Sequence, residues 1–116
     1  MSKFPGPYAE QPIRTFLVGE ALTSLQQILA TSSEIEISGT AKNGKEALGL
    51  ILKNDSQVIC TELEMPVMDG LDLTRGIMAT DPRAILVVTR LGQKEDRDKV
   101  FEIVEAGAIE VFPIFA

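Results

Sequence analysis

The segment from Val58 to Gly70 constrains the fold more than any other part of the chain. It begins with the apolar run V-I-C, typical of a strand buried on both faces, and the carboxylate of Glu62 follows at its end. Pro66 then interrupts the backbone, and Asp69 opens a new amphipathic segment. Because ligand sites in open parallel α/β sheets lie beyond the carboxyl ends of the strands, we expect Glu62 at the functional edge.

Strands and helices alternate along the rest of the chain. Apolar runs and period-two alternation predict five strands, at residues 13–18, 34–41, 58–62, 84–89 and 108–112. Apolar residues at helical spacing predict one helix in each interval, the second running from Asn43 to near Asn54 and the fourth from Gln93 to Glu105. This βαβαβαβαβ order predicts a parallel sheet whose right-handed crossovers cover both faces with helices.

The helix patterns also predict which side chains are buried and where the helices begin. Asn43 and Asp69 are expected to cap the second and third helices. The first helix is predicted to bury Leu22, Leu25, Ile28 and Leu29. The fourth helix is predicted to bury Val100, Phe101 and Val104, and to stop at Gly107.

Composition excludes several classes of protein. Eleven basic and seventeen acidic residues give a net charge of −6, which disfavours direct binding of nucleic acid. The chain has no histidine, and its one cysteine, Cys60, fits a small core residue in a reducing compartment. No apolar run is long enough to span a membrane, and no signal pattern is present, so we expect a cytoplasmic protein.

The first twelve residues differ from the rest because they hold four proline or glycine residues and show no periodicity. We predict a flexible arm at residues 1–12 and one domain at residues 13–116. Phe4 and Tyr8 are the arm's large apolar side chains. They either belong to a disordered leader or dock on a partner.

The motif E-M-P-V-M-D-G, followed by L-D-L-T-R-G-I-M, resembles the receiver domain of two-component response regulators, the CheY-like family. The resemblance extends from about residue 13 to residue 115. It implies a CheY/flavodoxin-like, doubly wound, five-stranded parallel sheet of order 2-1-3-4-5. It also implies a fifth helix after the last strand, which this sequence stops short of. We therefore expect several hundred Å² of bare apolar surface, on the order that marks an interaction site.

The resemblance assigns the family's functional positions to residues of this chain, and most of them are altered. In the family an aspartate at the end of the third strand accepts a phosphoryl group, and here that position is Glu62. An acidic pair that holds the metal falls on Gly19 and Glu20, and a hydroxyl group is kept as Thr89. The lysine after the fifth strand falls on Ile114, and the aromatic switch position falls on Val111.

Of these six positions, only Thr89 is kept outright, while Glu20 keeps its charge. The extra methylene of Glu62 displaces the attacking oxygen by about an ångström, enough to spoil in-line geometry. We therefore predict a degenerate pseudo-receiver with no catalytic residue and no cofactor. Any Mg²⁺ binding is expected to be poor, and its weak candidates are Glu20, Glu62 and Glu64, the last because its backbone carbonyl matches the family's third metal ligand.

Two hypotheses concern the charges of the pocket. Arg90 either folds over the pocket and pairs with Glu62 or Glu20, in place of the metal and the lysine, or points to solvent. Separately, Glu62 can be read as a mimic of a phosphorylated aspartate, which would hold the domain in an active-like state.

The leading functional interpretation is a non-enzymatic signalling module that acts by phosphorylation-independent protein–protein contact. Its partner face is predicted on the fourth helix and fifth strand, together with the bed of the missing helix. One alternative is a receiver that still accepts phosphate. Another is the N-terminal regulatory domain of a longer DNA-binding or methylesterase response regulator. An enzyme of another class is disfavoured because the sequence offers no nucleophile–base pair and no glycine-rich phosphate loop.

Overall fold

A computed structural model describes residues 11–90 and 96–113 of the chain. The strands are β1 (Ile13–Val18), β2 (Ile35–Ala41), β3 (Val58–Glu62), β4 (Ala84–Thr89) and β5 (Glu110–Pro113). The helices are α1 (Glu20–Ser24), α2 (Gln26–Leu29), α3 (Gly44–Ile51), α4 (Gly70–Thr80) and α5 (Asp96–Glu105). The predicted alternation of strands and helices is therefore confirmed.

The five strands form one parallel sheet of order β2-β1-β3-β4-β5. This is the predicted order. Val18 at the end of β1 pairs with Thr61, and Glu62 at the end of β3 pairs with Val88. The carboxyl ends of the three central strands consequently lie side by side, and this edge carries the candidate site.

Each face of the sheet carries its own hydrophobic core. The larger core contains fully buried side chains such as Ile59 of β3, Leu73 of α4 and Ile103 of α5. The smaller core lies on the other face, where Leu17 and Leu22 are buried. Among the described residues, no helix is long and apolar enough to cross a membrane.

The first predicted helix is broken into α1 and α2 at Leu25, whose backbone leaves the helical region with φ −92° and ψ 3°. Leu22 is buried as predicted. The prediction was wrong for Leu25 and Ile28, whose side chains are 44% and 68% exposed. The break turns the second half of the segment, so a single helical stripe no longer faces the sheet.

The predicted inner face of α5 was also wrong. Phe101 and Val104 are 64% and 50% exposed, whereas Ile103 is fully buried. Successive helical residues are about 100° apart, so a residue two positions from Ile103 lies on the opposite side of the helix. Because Ile103 faces the core, Phe101 is directed away from it.

The predicted caps are confirmed. The side chain of Asn43 accepts a hydrogen bond from the Glu46 N–H, and that of Asp69 accepts one from the Asp72 N–H. Helix α3 ends at Ile51, somewhat before the predicted end near Asn54.

The last described residues, from Gly107 to β5, lie next to the part of the sheet that was predicted to be bare. Gly107 has a φ of +119° and ends the turn after α5, as predicted, whereas β5 begins at Glu110, two residues later than expected. Phe112 pairs with Val88, so it shares that residue's face of the sheet, and it is 48% exposed. The predicted arm at residues 1–12 lies almost entirely outside the described residues, and so do residues 114–116. The bare face therefore stays a prediction.

Candidate functional site

The carboxylate of Glu62 binds the beginning of α1. Its Oε2 atom accepts a hydrogen bond of 3.1 Å from the backbone N–H of Leu22. Leu22 is the third residue of α1, and a helix leaves its first N–H groups without partners inside the helix. Glu62 therefore supplies from β3 the acceptor that a serine or aspartate at the N-cap would supply locally.

The N-cap residue itself, Gly19, has no side chain to offer, and the geometry requires a glycine there. Its φ of +112° and ψ of 149° lie in a region that residues with a side chain rarely adopt. A Cβ atom at this position would also overlap the Cδ and Oε2 atoms of Glu62. Gly19 and Glu62 thus form a matched pair, because the carboxylate fills the space that a side chain at position 19 would need.

A second carboxylate, that of Glu64, occupies the end of β4. Its Oε2 atom accepts a hydrogen bond of 2.8 Å from the buried hydroxyl of Thr89. Its Oε1 atom accepts one of 3.2 Å from the backbone N–H of Arg90. The loop after β3 is therefore tied to the end of β4 by both oxygens of one side chain.

These contacts surround a cavity of about 290 Å³. Its lining combines the two carboxylates with apolar and hydroxyl groups of α1 and β4, namely Ala21, Leu22, Ser24, Leu25, Glu62, Glu64, Val88, Thr89 and Arg90. Polar and apolar walls thus meet at the predicted functional edge of the sheet.

Of the two alternatives for Arg90, the structure favours the side chain that points to solvent over the ion pair. Within the described part of the chain, no ion pair joins Arg90 to Glu62 or Glu20. Arg90 is exposed, and it contributes its backbone N–H to the site. The Oε2 atom of Glu62 accepts instead from the Leu22 N–H, at the beginning of α1.

The remaining predicted site residues lie farther from the cavity or outside the described residues. Glu20 is exposed and does not line the cavity. Val111 is half-buried and packs against the larger core. Ile114 lies outside the described residues.

Residues 19–112 match the model of the response regulator receiver domain family. The chain belongs to this family. Among curated relatives, it is 38% identical over 86 residues to a protein-glutamate methylesterase/protein-glutamine glutaminase of Methanococcus maripaludis, covering 74% of this chain and 23% of that protein. It is 39% identical over 103 residues to one of Methanospirillum hungatei, covering 86% and 29%. The receiver domain thus spans about a quarter of the length of these relatives.

Solved receiver structures share the fold. The response regulator domain of Thermotoga maritima CheB superposes with a TM-score of 0.74 at 26% identity, covering 88% of this chain and 78% of that one. CheY in the CheX–CheY–BeF3–Mg complex of Borrelia burgdorferi gives a TM-score of 0.73 at 22% identity, covering 90% and 80%. The latter likeness shows the fold alone.

The magnesium ion that the family implies does not fit the side chains of this receiver domain. The position of one metal-binding acid is Gly19, and the Glu62 carboxylate is engaged by the Leu22 N–H. The Glu64 side chain is directed to Thr89 instead. Among the described residues, no three acidic or cysteine side chains gather as a metal site would require.

The charge of Glu62 also acts on its neighbour in β3. Burial raises the pKa of the Cys60 thiol, and the negative charge of Glu62 raises it further. Cys60 is therefore held in its protonated, unreactive form.

Sequence reasoning missed two groups of this site. It considered Glu64 only for its backbone carbonyl, whereas its side chain closes the end of β4. It also did not identify the Leu22 N–H as the partner of Glu62. One signal was available in the sequence. Compared with the family pattern, position 62 has a longer acid and position 19 has lost its side chain.

Proposed function

We propose that this receiver domain signals without phosphorylation, through protein–protein contact. The observation that carries the proposal is the hydrogen bond from the Leu22 N–H to Glu62 Oε2, made across Gly19. The carboxylate at the acceptor position is thus engaged in a structural hydrogen bond, and the backbone of Gly19, with a φ of +112°, disfavours an acidic residue at that position.

The phosphoryl-binding side of the pocket supports the same proposal. A phosphoryl group needs hydrogen-bond donors for its oxygens, and the resemblance assigns that role to the hydroxyl at position 89. Both the Thr89 hydroxyl and the Arg90 N–H already serve the Glu64 carboxylate. An entering phosphoryl group would have to displace that carboxylate and lie among like charges without a cation.

The hypothesis that a carboxylate of this site mimics a phosphorylated aspartate is supported for Glu64 and not for Glu62. The anion that meets Thr89 belongs to Glu64, and not to Glu62 as the sequence suggested. The carboxylate of Glu64 thus holds the end of β4 in one arrangement. At the family's aromatic switch position the small Val111 is unable to signal a change of state through a change of rotamer.

The partner face that we propose lies on α5 and β5. Phe101 and Val104 of α5 and Phe112 of β5 are 64%, 50% and 48% exposed. Exposed aromatic and aliphatic side chains on neighbouring elements are typical of a protein-binding surface.

A second candidate is a regulatory receiver within a longer response regulator, and the relatives favour the methylesterase form. The proteins that this domain matches at 38–39% identity are methylesterases about four times its matched length. In that case the domain itself is non-catalytic and acts on the esterase by contact. The DNA-binding alternative has no such support from these relatives. A cytoplasmic location stays a prediction.

Intact-mass measurement after incubation with acetyl phosphate and Mg²⁺ tests the proposal. We expect no gain of a phosphoryl group. A stable gain that disappears in Glu62→Ala would restore phosphate acceptance at this position. A gain that persists in Glu62→Ala would assign acceptance to another acid, and it would equally contradict signalling without phosphorylation.

A further inference from the structure

An open groove of about 780 Å³ lies between α3 and the loop that joins β3 to α4. Its lining consists of Asn43, Lys45, Glu46, Gly49, Leu50, Lys53 and Val67. Helix α3 packs against β2 and α4, whereas α5 packs against α4 and β5. The groove is therefore separated by α4 from the α5–β5 face, and neither the pocket nor that face accounts for it.

The wall of the groove contains a strained residue, Val67. Its φ is +72°, and the Met68 N–H donates a 2.8 Å hydrogen bond to the carbonyl of Pro66 across it. A γ-turn of this hand is rare and strained, and a β-branched residue is especially unsuited to it. The neighbouring backbone holds the turn in place, because the Gly44 N–H donates to the Met68 carbonyl at 3.1 Å.

Packing within the domain does not explain the valine, since its side chain is 78% exposed. An asparagine or glycine would adopt the same backbone with less strain. A strained residue that keeps an exposed apolar side chain is a reason to look for a contact outside the domain. Leu50, which is 44% exposed, supplies a second apolar side chain in the same groove.

The charges of the groove indicate the partner. Lys45 and Lys53 are exposed, and in the part of the chain that the structure describes neither has an ion-pair partner. They stand out in a chain of net charge −6. Between them, the Cα of Gly49 faces open space, with no atom within 4 Å of a Cβ built there. A partner can therefore approach the helix backbone closely.

We propose that this groove binds an acidic peptide segment that carries an apolar side chain. Carboxylates of the segment pair with Lys45 and Lys53, while its apolar side chain packs against Val67 and Leu50 above Gly49. Nucleic acid fits less well, because Glu46 lines the same groove and the domain as a whole is acidic.

The test is a titration of the isotope-labelled 116-residue chain, followed by amide chemical shifts in NMR. The probe is a synthetic peptide that repeats Glu-Glu-Leu, compared with matched peptides that repeat Gln-Gln-Leu and Glu-Glu-Ser. We expect shifts at Lys45, Gly49, Lys53 and Val67 with the first peptide, and binding weaker by about fivefold or more with either matched peptide.

Val67→Asn separates contact from folding. This variant should unfold at the same or a higher temperature than the natural chain, because asparagine tolerates the positive φ. It should nevertheless bind the Glu-Glu-Leu peptide about fivefold or more weakly. Lys53→Gln should weaken binding similarly and reduce its dependence on salt.

Several results would overturn the proposal. Shifts confined to other surfaces would show that the peptide does not bind in the groove. Equal binding of the Gln-Gln-Leu peptide would show that charge pairing with the lysines does not contribute. Tighter binding of a single-stranded oligonucleotide at the same amides would assign the groove to nucleic acid. Shifts at these amides that grow with protein concentration alone would assign it to a second copy of the chain. A lower unfolding temperature for Val67→Asn would refute the strain argument.

Discussion

The carboxylate of Glu62 lies where a side chain on residue 19 would have to begin, and residue 19 is a glycine. The two positions therefore depend on each other. A longer acid at the end of β3 can reach the Leu22 N–H only because Gly19 leaves the path open. Two positions that the sequence presents as separate departures from the family pattern thus form one structural unit, in which Glu62 accepts from the first turn of α1 across Gly19.

Gly19→Ala should destabilise the domain by about 1.5–5 kcal/mol, measured by chemical unfolding. Backbone strain at φ +112° contributes about 1–3 kcal/mol, and loss of the displaced cap about 0.5–2 kcal/mol. In a Glu62→Ala background the same substitution should cost less, because the cap is already absent.

Gly49→Ala is the matched control for that experiment. Gly49 lies within α3 with open space around it, so alanine should stabilise the domain by about 0.5–1 kcal/mol. Equal costs of Gly19→Ala with and without Glu62 would show that the two residues are not coupled.

Removal of the Glu62 carboxylate should loosen α1. Glu62→Ala is expected to cost about 0.5–2 kcal/mol and to speed hydrogen exchange at the Leu22 amide, because that N–H loses its acceptor. Glu62→Gln keeps an acceptor oxygen and should stay within about 0.5 kcal/mol of the natural chain. If glutamine were as disruptive as alanine, or the Leu22 amide were unaffected by either, the capping role would be refuted.

Glu64→Ala should free the donors at the end of β4. We expect faster hydrogen exchange at the Arg90 amide and a loss of about 1–3 kcal/mol of stability, because two hydrogen bonds of about 0.5–1.5 kcal/mol each disappear. The exposed Glu105→Ala, on α5, serves as the control and should change neither quantity. Unchanged Arg90 exchange in Glu64→Ala would contradict closure by this side chain.

The Cys60 thiol should react slowly with iodoacetamide, and its reaction should accelerate only at a pH above the ordinary thiol range. Glu62→Gln should lower the pKa of Cys60, because it removes the negative charge that raises it. Burial, the larger cause, remains, so the pKa should still lie above its ordinary value.

The same pKa makes stability depend on pH. The folded thiol keeps its proton after the unfolded one has lost it, so stability should fall as the pH rises above roughly 8.5. Cys60→Ala should remove this part of the dependence. A Cys60 pKa that Glu62→Gln raises, or leaves unmoved, would contradict the electrostatic contact.

The sequence predicted the fold well, because strong local signals agree with the topology. The apolar runs of β3 and β4, the cap at Asp69 and the stop at Gly107 each depend on neighbouring residues alone. Burial on the helices was predicted less well. The break at Leu25 redirects a whole stripe, and that break depends on how the segment meets the sheet.

The sequence predicted which positions form the site, but it did not predict which hydrogen bonds they make. The resemblance identified Glu62, Gly19 and Thr89, but it could not tell which partner each would take. Hydrogen bonds between residues 40 or 25 positions apart depend on side-chain directions at the sheet edge. For the same reason the sequence could not decide whether Arg90 forms an ion pair in the pocket or points to solvent.

A titration with Mg²⁺ and BeF3 is the sharpest test of whether Glu62 and Glu64 close the site to metal and phosphate. The readouts are the amide signals of Leu22 and Arg90 in NMR, and the control is the Borrelia burgdorferi CheY whose complex contains BeF3 and Mg. We predict that both signals stay in place at concentrations that saturate the control. Saturable shifts of both amides, dependent on the two additives together, would contradict this closure.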